Sequence, residues 1–183
     1  QVGGGKSFGH LLAASQYVDV PGYSVLLLRR TFRDLALPGA LMDEAHSWWG
    51  KTAAHWDSQE KTWRFPSGAS VTFGYMDKEN DHLRYQGGRY QYIGYDELTQ
   101  FPEHQYTFMF SRLRRLKGFP VPIRMRSTTN PGGPGHAWVK KRFFLPAGPD
   151  PRRTLCRACK SYLFMGACNV HMFHYNFRIC YNY

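Results

Sequence analysis

The stretch "YSVLLLRR", residues 23–30, constrains the fold of this chain more than any other. An unbroken apolar run of that length suits a strand buried on both faces, the usual state of a strand inside a parallel sheet. Two more strand patterns follow, "RYQYIGYDE" and "VPIRMRSTTN". Helical patterns lie between them. Ser7 to Val18 places Phe8, Leu11, Leu12 and Ser15 on one stripe and stops at Pro21-Gly22. Phe32 to Trp49 is helix-like but broken at Pro38-Gly39, and Asp77 to Gln86 is polar with a helical tendency. Pro102 suits the first turn of a helix carrying Tyr106, Met109, Phe110 and Leu113 on one face, and "HAWVKKRFF" forms a short amphipathic helix. "KTWRFPSGASVTFGY" predicts a hairpin turning at Pro66-Ser67-Gly68. Strands alternating with helices imply an α/β layer built on a mainly parallel sheet.

At 183 residues the chain has room for one well-filled domain, and 43% hydrophobic with 16% aromatic residues indicates a packed core. No apolar run approaches the length of a membrane span, so a soluble intracellular protein is expected. The net charge is +11, but five of the 24 basic residues and none of the 13 acids follow Pro151, leaving 19 against 13, or +6, before it. That excess is compatible with a polyanionic partner and equally with a solvated basic face. Cys156, Cys159, Cys168 and Cys180 all lie in the same tail, so the first 150 residues are no disulfide scaffold.

Three segments carry candidate chemistry. "GGGKS", Gly3 to Ser7, reads as the end of a G-x-x-x-x-G-K-[ST] phosphate loop whose first glycine falls before Gln1. Backbone N–H groups of Gly3, Gly4 and Gly5 would surround phosphate oxygens, Lys6 would reach the β- and γ-phosphates, and Ser7 would hold Mg²⁺. A glycine tag or turn would read the same way. Second, Asp96 and Glu97 close an apolar strand, where Asp96 would orient the metal and Glu97 would polarise an attacking water. Alone, two such acids also favour a helix N-terminus. Third, Ser127, Thr128, Thr129 and Asn130 end a strand at the sheet edge where ligands bind in open α/β folds, and a plain Asn-Pro turn is the alternative there.

"GGGKS", "LLLRRTF", "TWRFPSGASVTFGY", "RYQYIGYDELTQFPE", "FSRLR" and "RMRSTTNPGGPGHAWVKKRF" come in the order seen in the large terminase subunit of tailed bacteriophages. The resemblance covers about Gln1 to Phe144. It implies a P-loop NTPase of the RecA-like, additional-strand catalytic-glutamate type, a three-layer fold that uses ATP and Mg²⁺ to move double-stranded DNA into a procapsid. It makes Gly3 to Ser7 the Walker A segment, Asp96 and Glu97 the Walker B pair, and Ser127 to Asn130 the coupling motif. Val2 stands where family members often carry an arginine. Arg84 and Arg89, ahead of the second strand, are therefore candidates to supply charge in cis or to a neighbouring subunit, or are surface arginines. The resemblance also implies a portal protein, a small terminase subunit and a homo-oligomeric ring as partners. Its setting would be the cytoplasm of the infected host, with transient docking on the procapsid.

Against the family pattern, the strand leading into Walker A is expected to be missing, so that the sheet lacks a central member. The family's nuclease is not expected here, since no Asp or Glu follows Asp150. Residues 1–144 are thus expected to form the ATPase unit, and 145–183 a linker with an unassigned tail. In that tail Cys156-x2-Cys159 followed by Cys168, His171, His174 and Cys180 offers zinc-type ligands without a regular second half, so no zinc site is expected. Arg114, Arg115, Lys140 and Lys141 are candidates for DNA phosphates, on charge alone. A helicase-like ATPase or a catalytically inert nucleic-acid-binding or assembly fragment are the competing readings.

Overall fold

The computed structural model describes residues 5–143 together with three short strands at 153–155, 162–164 and 170–174. Gly3, Gly4 and the four cysteines lie outside the described residues.

The run that opens the argument becomes β1, Ser24–Arg29, with Val25, Leu26, Leu27 and Leu28 all at 0% exposure. It pairs in parallel with β4, Ser70–Tyr75, on one side and with β5, Tyr92–Tyr95, on the other. β5 pairs in parallel with β6, Arg124–Thr129. Successive side chains of a strand point to opposite faces. Accordingly Val25 and Leu27 join one apolar cluster, while Leu26 and Leu28 join the other. The first cluster is closed by α1 (Lys6–Ser15), α2 (Phe32–Ala36) and α3 (Leu41–Trp49). The second is closed by α4, Glu103–Phe110, and α5, His136–Phe143. The result is a three-layer α/β fold with a mainly parallel central sheet, as the pattern predicts.

Several boundaries follow from local chemistry. The helical pattern from Phe32 divides as expected, with Gly39 in the left-handed region at φ 71° between α2 and α3. The Thr31 side chain caps α2 by accepting from the Asp34 amide at 3.1 Å. The predicted hairpin pairs β3, Thr62–Arg64, with β4, and β2, His55–Asp57, extends it by one antiparallel strand that the pattern did not reveal. The polar stretch after Asp77 condenses into a single 3₁₀ turn, Asp81–Tyr85.

One expectation is corrected. The stripe on α1 is buried only in part: Leu11 packs inside, but Phe8 and Leu12 are 54% and 52% exposed, and His10, Ala13 and Ala14 complete the buried face. Small side chains let the helix approach the sheet closely, and the hydrogen-bonding requirement of His10 fixes its rotation. The sheet order is β2-β3-β4-β1-β5-β6-β9, in which β9, Val170–His174, pairs in parallel with the outer side of β6. The sequence pattern places nothing from residues 145–183 in the sheet. Of this segment, β9 nevertheless takes the open side of β6, while β7, Arg153–Leu155, and β8, Tyr162–Phe164, form a separate antiparallel pair.

The close approach of α1 to β5 depends on Gly94. A Cβ placed there would lie 2.7 Å from Leu27 Cδ2 and 2.8 Å from His10 Nδ1, both in the packed interior. We expect Gly94→Ala to destabilise the fold by about 1–3 kcal/mol through overpacking, read as a lower denaturant midpoint with an unchanged m-value. An unaltered midpoint would show that α1 is not held against this strand.

Candidate functional site

Because β1, β5 and β6 run parallel and in register, their C-terminal ends meet at one edge of the sheet. Arg29 ends β1, Asp96 and Glu97 follow β5, and Asn130 follows β6. The N-terminus of α1 arrives at the same place. Gly5, its N-cap, is left-handed at φ 67°, and no side chain caps the first turn. The helix therefore begins with open backbone N–H groups and the positive end of its dipole.

Lys6 Nζ donates to Glu97 Oε1 at 2.5 Å and to Asn130 Oδ1 at 2.8 Å. Asn130 closes the triangle by donating its backbone N–H to Glu97 Oε2 at 3.0 Å and its side-chain amide to Oε1 at 2.9 Å. Side chains separated by 91 and 124 positions along the chain thus share one cluster. Glu97 itself is left-handed, φ 58° and ψ 60°. For a residue with a Cβ this conformation costs about 1–2 kcal/mol, and it persists because the next turn is clamped. The Thr99 amide donates to Thr129 Oγ1 at 3.2 Å, the Thr99 hydroxyl donates to the Asn130 carbonyl at 3.1 Å, and the Gly135 amide donates to the Thr99 carbonyl at 2.7 Å.

Asp96, adjacent in sequence, has a different environment. Its side chain is 2% exposed, accepts from the Thr128 hydroxyl at 2.7 Å, and forms an ion pair with Arg29. Glu97 and Asn130, together with Arg29, Arg30, Gln100 and Gly133, line a cleft of about 520 Å³.

The structure thus brings Lys6, Asp96, Glu97 and Asn130 together, with Gly5 and Ser7 in the flanking residues of α1. Ser7 is half-buried. Thr128 and Thr129 are buried behind the cleft, their hydroxyls turned to Asp96 and Thr99, so Asn130 is the member of that segment that reaches the cleft. Arg84 is not brought in: it pairs with Asp81 at 2.7 Å, donates to the Tyr75 carbonyl and stacks on the Tyr75 ring. Arg89 is exposed on the connection before β5 and does not line the cleft. Arg114, Arg115, Lys140 and Lys141 are exposed.

Two residues escaped the sequence reading. Arg29 was visible as the basic end of "LLLRR", but nothing in the spacing aims it at Asp96. His10 lies one turn beyond Lys6, fully buried. Its Nε2–H donates to the Tyr95 carbonyl at 3.0 Å, which leaves Nδ1 to accept the Tyr92 hydroxyl at 3.1 Å. This holds α1, and with it Lys6, against β5. Desolvation lowers the His10 pKa, opposed by the nearby Asp96 charge.

The donor set fits a magnesium nucleotide. Open N–H groups behind a left-handed glycine and an ammonium suit a polyphosphate. Among the described residues no three His, Cys, Asp or Glu side chains cluster as a complete metal cage. Mg²⁺, however, takes one or two carboxylates and completes its shell with phosphate and water; Asp96 could hold it only in exchange for Arg29, which occupies its Oδ2.

Residues 5–137 match the family described as terminase large subunit, T4-like-virus type, N-terminal. No curated protein matches at a significant level. Among solved structures, the large terminase of a thermophilic bacteriophage superposes with a TM-score of 0.60 at 14% identity, over 92% of this chain and 36% of that one. At that identity the likeness speaks for the fold. The chain spans about a third of the length of that terminase.

The burial of His10 sets a pH dependence. Its folded-state pKa lies below the ordinary 6.5, so the unfolded chain binds the proton more readily. Its contribution to stability is complete above pH 6.5 and is lost as pH falls from there through the folded-state value. Replacing His10 with Gln should flatten the stability profile on the acid side of pH 6.5, measured by denaturant titration at a series of pH values. An identical slope in both proteins would remove His10 as the titrating group.

Proposed function

The chain belongs to the large terminase subunit family, and from that premise we propose that the cleft is the ATP-hydrolysing site of a DNA-packaging motor. The observation that carries this reading is the convergence of Lys6 on Glu97 and Asn130, two residues that line one cleft. Mg²⁺–ATP would supply the scissile phosphoanhydride and a metal to polarise it. Gly3, Gly4, Gly5 and Lys6 would bind the phosphates and orient the nucleotide, and Ser7 and Asp96 would hold the metal. Glu97 exchanges its ion pair with Lys6 for a hydrogen bond to water and accepts the proton as that water attacks. Asn130, bonded to both, registers the change and passes it to β6 and α5.

The wider setting is part of the same proposal. The family's packaging role implies double-stranded DNA as the polymer moved, a portal protein and a small terminase subunit as partners, and a ring of copies as the working assembly. Such a ring acts in the host cytoplasm while docked on the procapsid. Among the described residues no helix is long and apolar enough to cross a membrane. Exposed Arg114, Arg115, Lys140 and Lys141 are the candidates to meet DNA phosphates, which would make DNA binding fall steeply with salt.

The test separates binding from chemistry. Glu97→Gln should lower phosphate release by roughly 10²- to 10⁴-fold while leaving nucleotide affinity close to that of the wild type. Lys6→Ala should weaken affinity itself. Equal loss of binding and turnover in Glu97→Gln would contradict its role as the base that positions water.

A further inference from the structure

A triphosphate in this cleft brings charge that Lys6 alone does not balance, and Val2 leaves the usual loop arginine absent. The arginines near the site differ in how fully they are committed. Arg30 donates to the Met76 carbonyl at 2.6 Å, to Gln105 Oε1 at 3.1 Å and to the Asp77 carbonyl, which binds it to the loop after β4. Arg84 is held by Asp81 and the Tyr75 ring. Arg29 stands at the C-terminal end of β1 and lines the cleft beside Glu97 and Asn130. Its side chain is 26% exposed, and Nη1 pairs with Asp96 Oδ2. A guanidinium carries five donors in a rigid fork suited to phosphate, and among the described residues Asp96 engages one arm of it, leaving the rest to the cleft.

Asp96 determines when Arg29 can move. Both of its oxygens are engaged, one by Thr128 and one by Arg29, in a side chain almost without solvent. Stripping a buried carboxylate of its counter-charge is strongly unfavourable. Arg29 can therefore leave only if another cation takes its place. The β1 backbone is fixed by parallel neighbours on both sides, so the side chain alone swings.

We propose that Arg29 is a phosphate-contacting residue of this cleft, exchanging Asp96 for the terminal phosphate of a nucleoside triphosphate when a divalent cation takes over the carboxylate. This rests on the nucleotide reading of the same site. It adds that the exchange couples metal arrival to phosphate recognition, so that a triphosphate is distinguished from a diphosphate only when the metal is present.

The 183-residue chain, its Arg29→Ala variant and its Arg29→Lys variant are each titrated with a fluorescent non-hydrolysable ATP analogue and with ADP, in Mg²⁺ and in EDTA. With Mg²⁺, Arg29→Ala should lose roughly tenfold to hundredfold in affinity for the triphosphate, the worth of a hydrogen bond to a charged group. Its affinity for ADP should stay within about twofold. In EDTA variant and wild type should agree, because Arg29 then remains on Asp96. Arg29→Lys, which keeps the charge without the fork, should show a smaller loss in the same direction, and it carries the test if Arg29→Ala does not fold. Equal losses for both nucleotides, no loss in Mg²⁺, or the same loss in EDTA would each overturn the assignment. A wild-type chain that binds neither nucleotide overturns the nucleotide reading itself, and the role of Arg29 with it.

Discussion

A single ammonium group ties the two halves of this molecule together. Lys6 begins the first helix, Glu97 follows the strand in the middle of the chain, and Asn130 follows the next strand over. Their contact is not a large source of stability. Both charged side chains keep some exposure, 17% for Lys6 and 15% for Glu97, and partly solvated ion pairs contribute about 0–1 kcal/mol. Its importance is positional. The triangle can exist only if β5 and β6 end in register and α1 is rotated so that its first turn faces their ends. That rotation is set by His10, whose two ring nitrogens are satisfied by Tyr92 and Tyr95 on β5. Gly94 supplies the space for it.

The two adjacent acids illustrate how a sheet edge divides labour. Asp96 retains the strand direction, donates its amide to the Leu28 carbonyl at 2.8 Å, and turns its carboxylate into the protein. Glu97 breaks away into the left-handed region, which points its side chain at the helix start instead. Holding that conformation requires the clamp around Thr99. Gly133 and Gly135 are the positions where side chains would collide with it: a Cβ would fall 2.8 Å and 2.9 Å from the Thr99 carbonyl oxygen. The turn bearing Glu97 and the loop leading into α5 are therefore packed directly against each other.

Much of this was legible from residue patterns. The apolar runs named the parallel strands, and the hydrophobic spacing named α4 and, with Pro38-Gly39, the division between α2 and α3. The glycine-lysine-serine run, the acidic pair and Asn130 named the elements that meet. The illegible parts share a physical cause: they depend on partners distant in sequence. The stripe of Phe8 and Leu12 obeys helical spacing, yet rotation of the helix is decided by a histidine that must find two hydrogen bonds. Thr128 and Thr129 looked like ligand-facing hydroxyls because strand alternation does not say which face the cleft occupies. The edge pairing of β9 with β6 was hidden because Val170 to His174 carries no pattern that separates it from its surroundings.

Arg29 belongs to the same category, but with a consequence for chemistry. At the sequence level two arginines after an apolar run are equivalent. In the fold, Arg30 points toward backbone carbonyls beyond β4 and becomes part of the scaffold, while Arg29 reaches the buried acid at the cleft. Both line the cleft, so what separates them is the partner each has found: carbonyls and Gln105 for Arg30, the buried acid for Arg29. Because Asp96 lies behind that arginine, the buried acid and a positive charge of the cleft occupy each other. Any cation that competed for the carboxylate would release the Arg29 guanidinium toward the cleft it lines, so the buried acid would not have to lose its counter-charge.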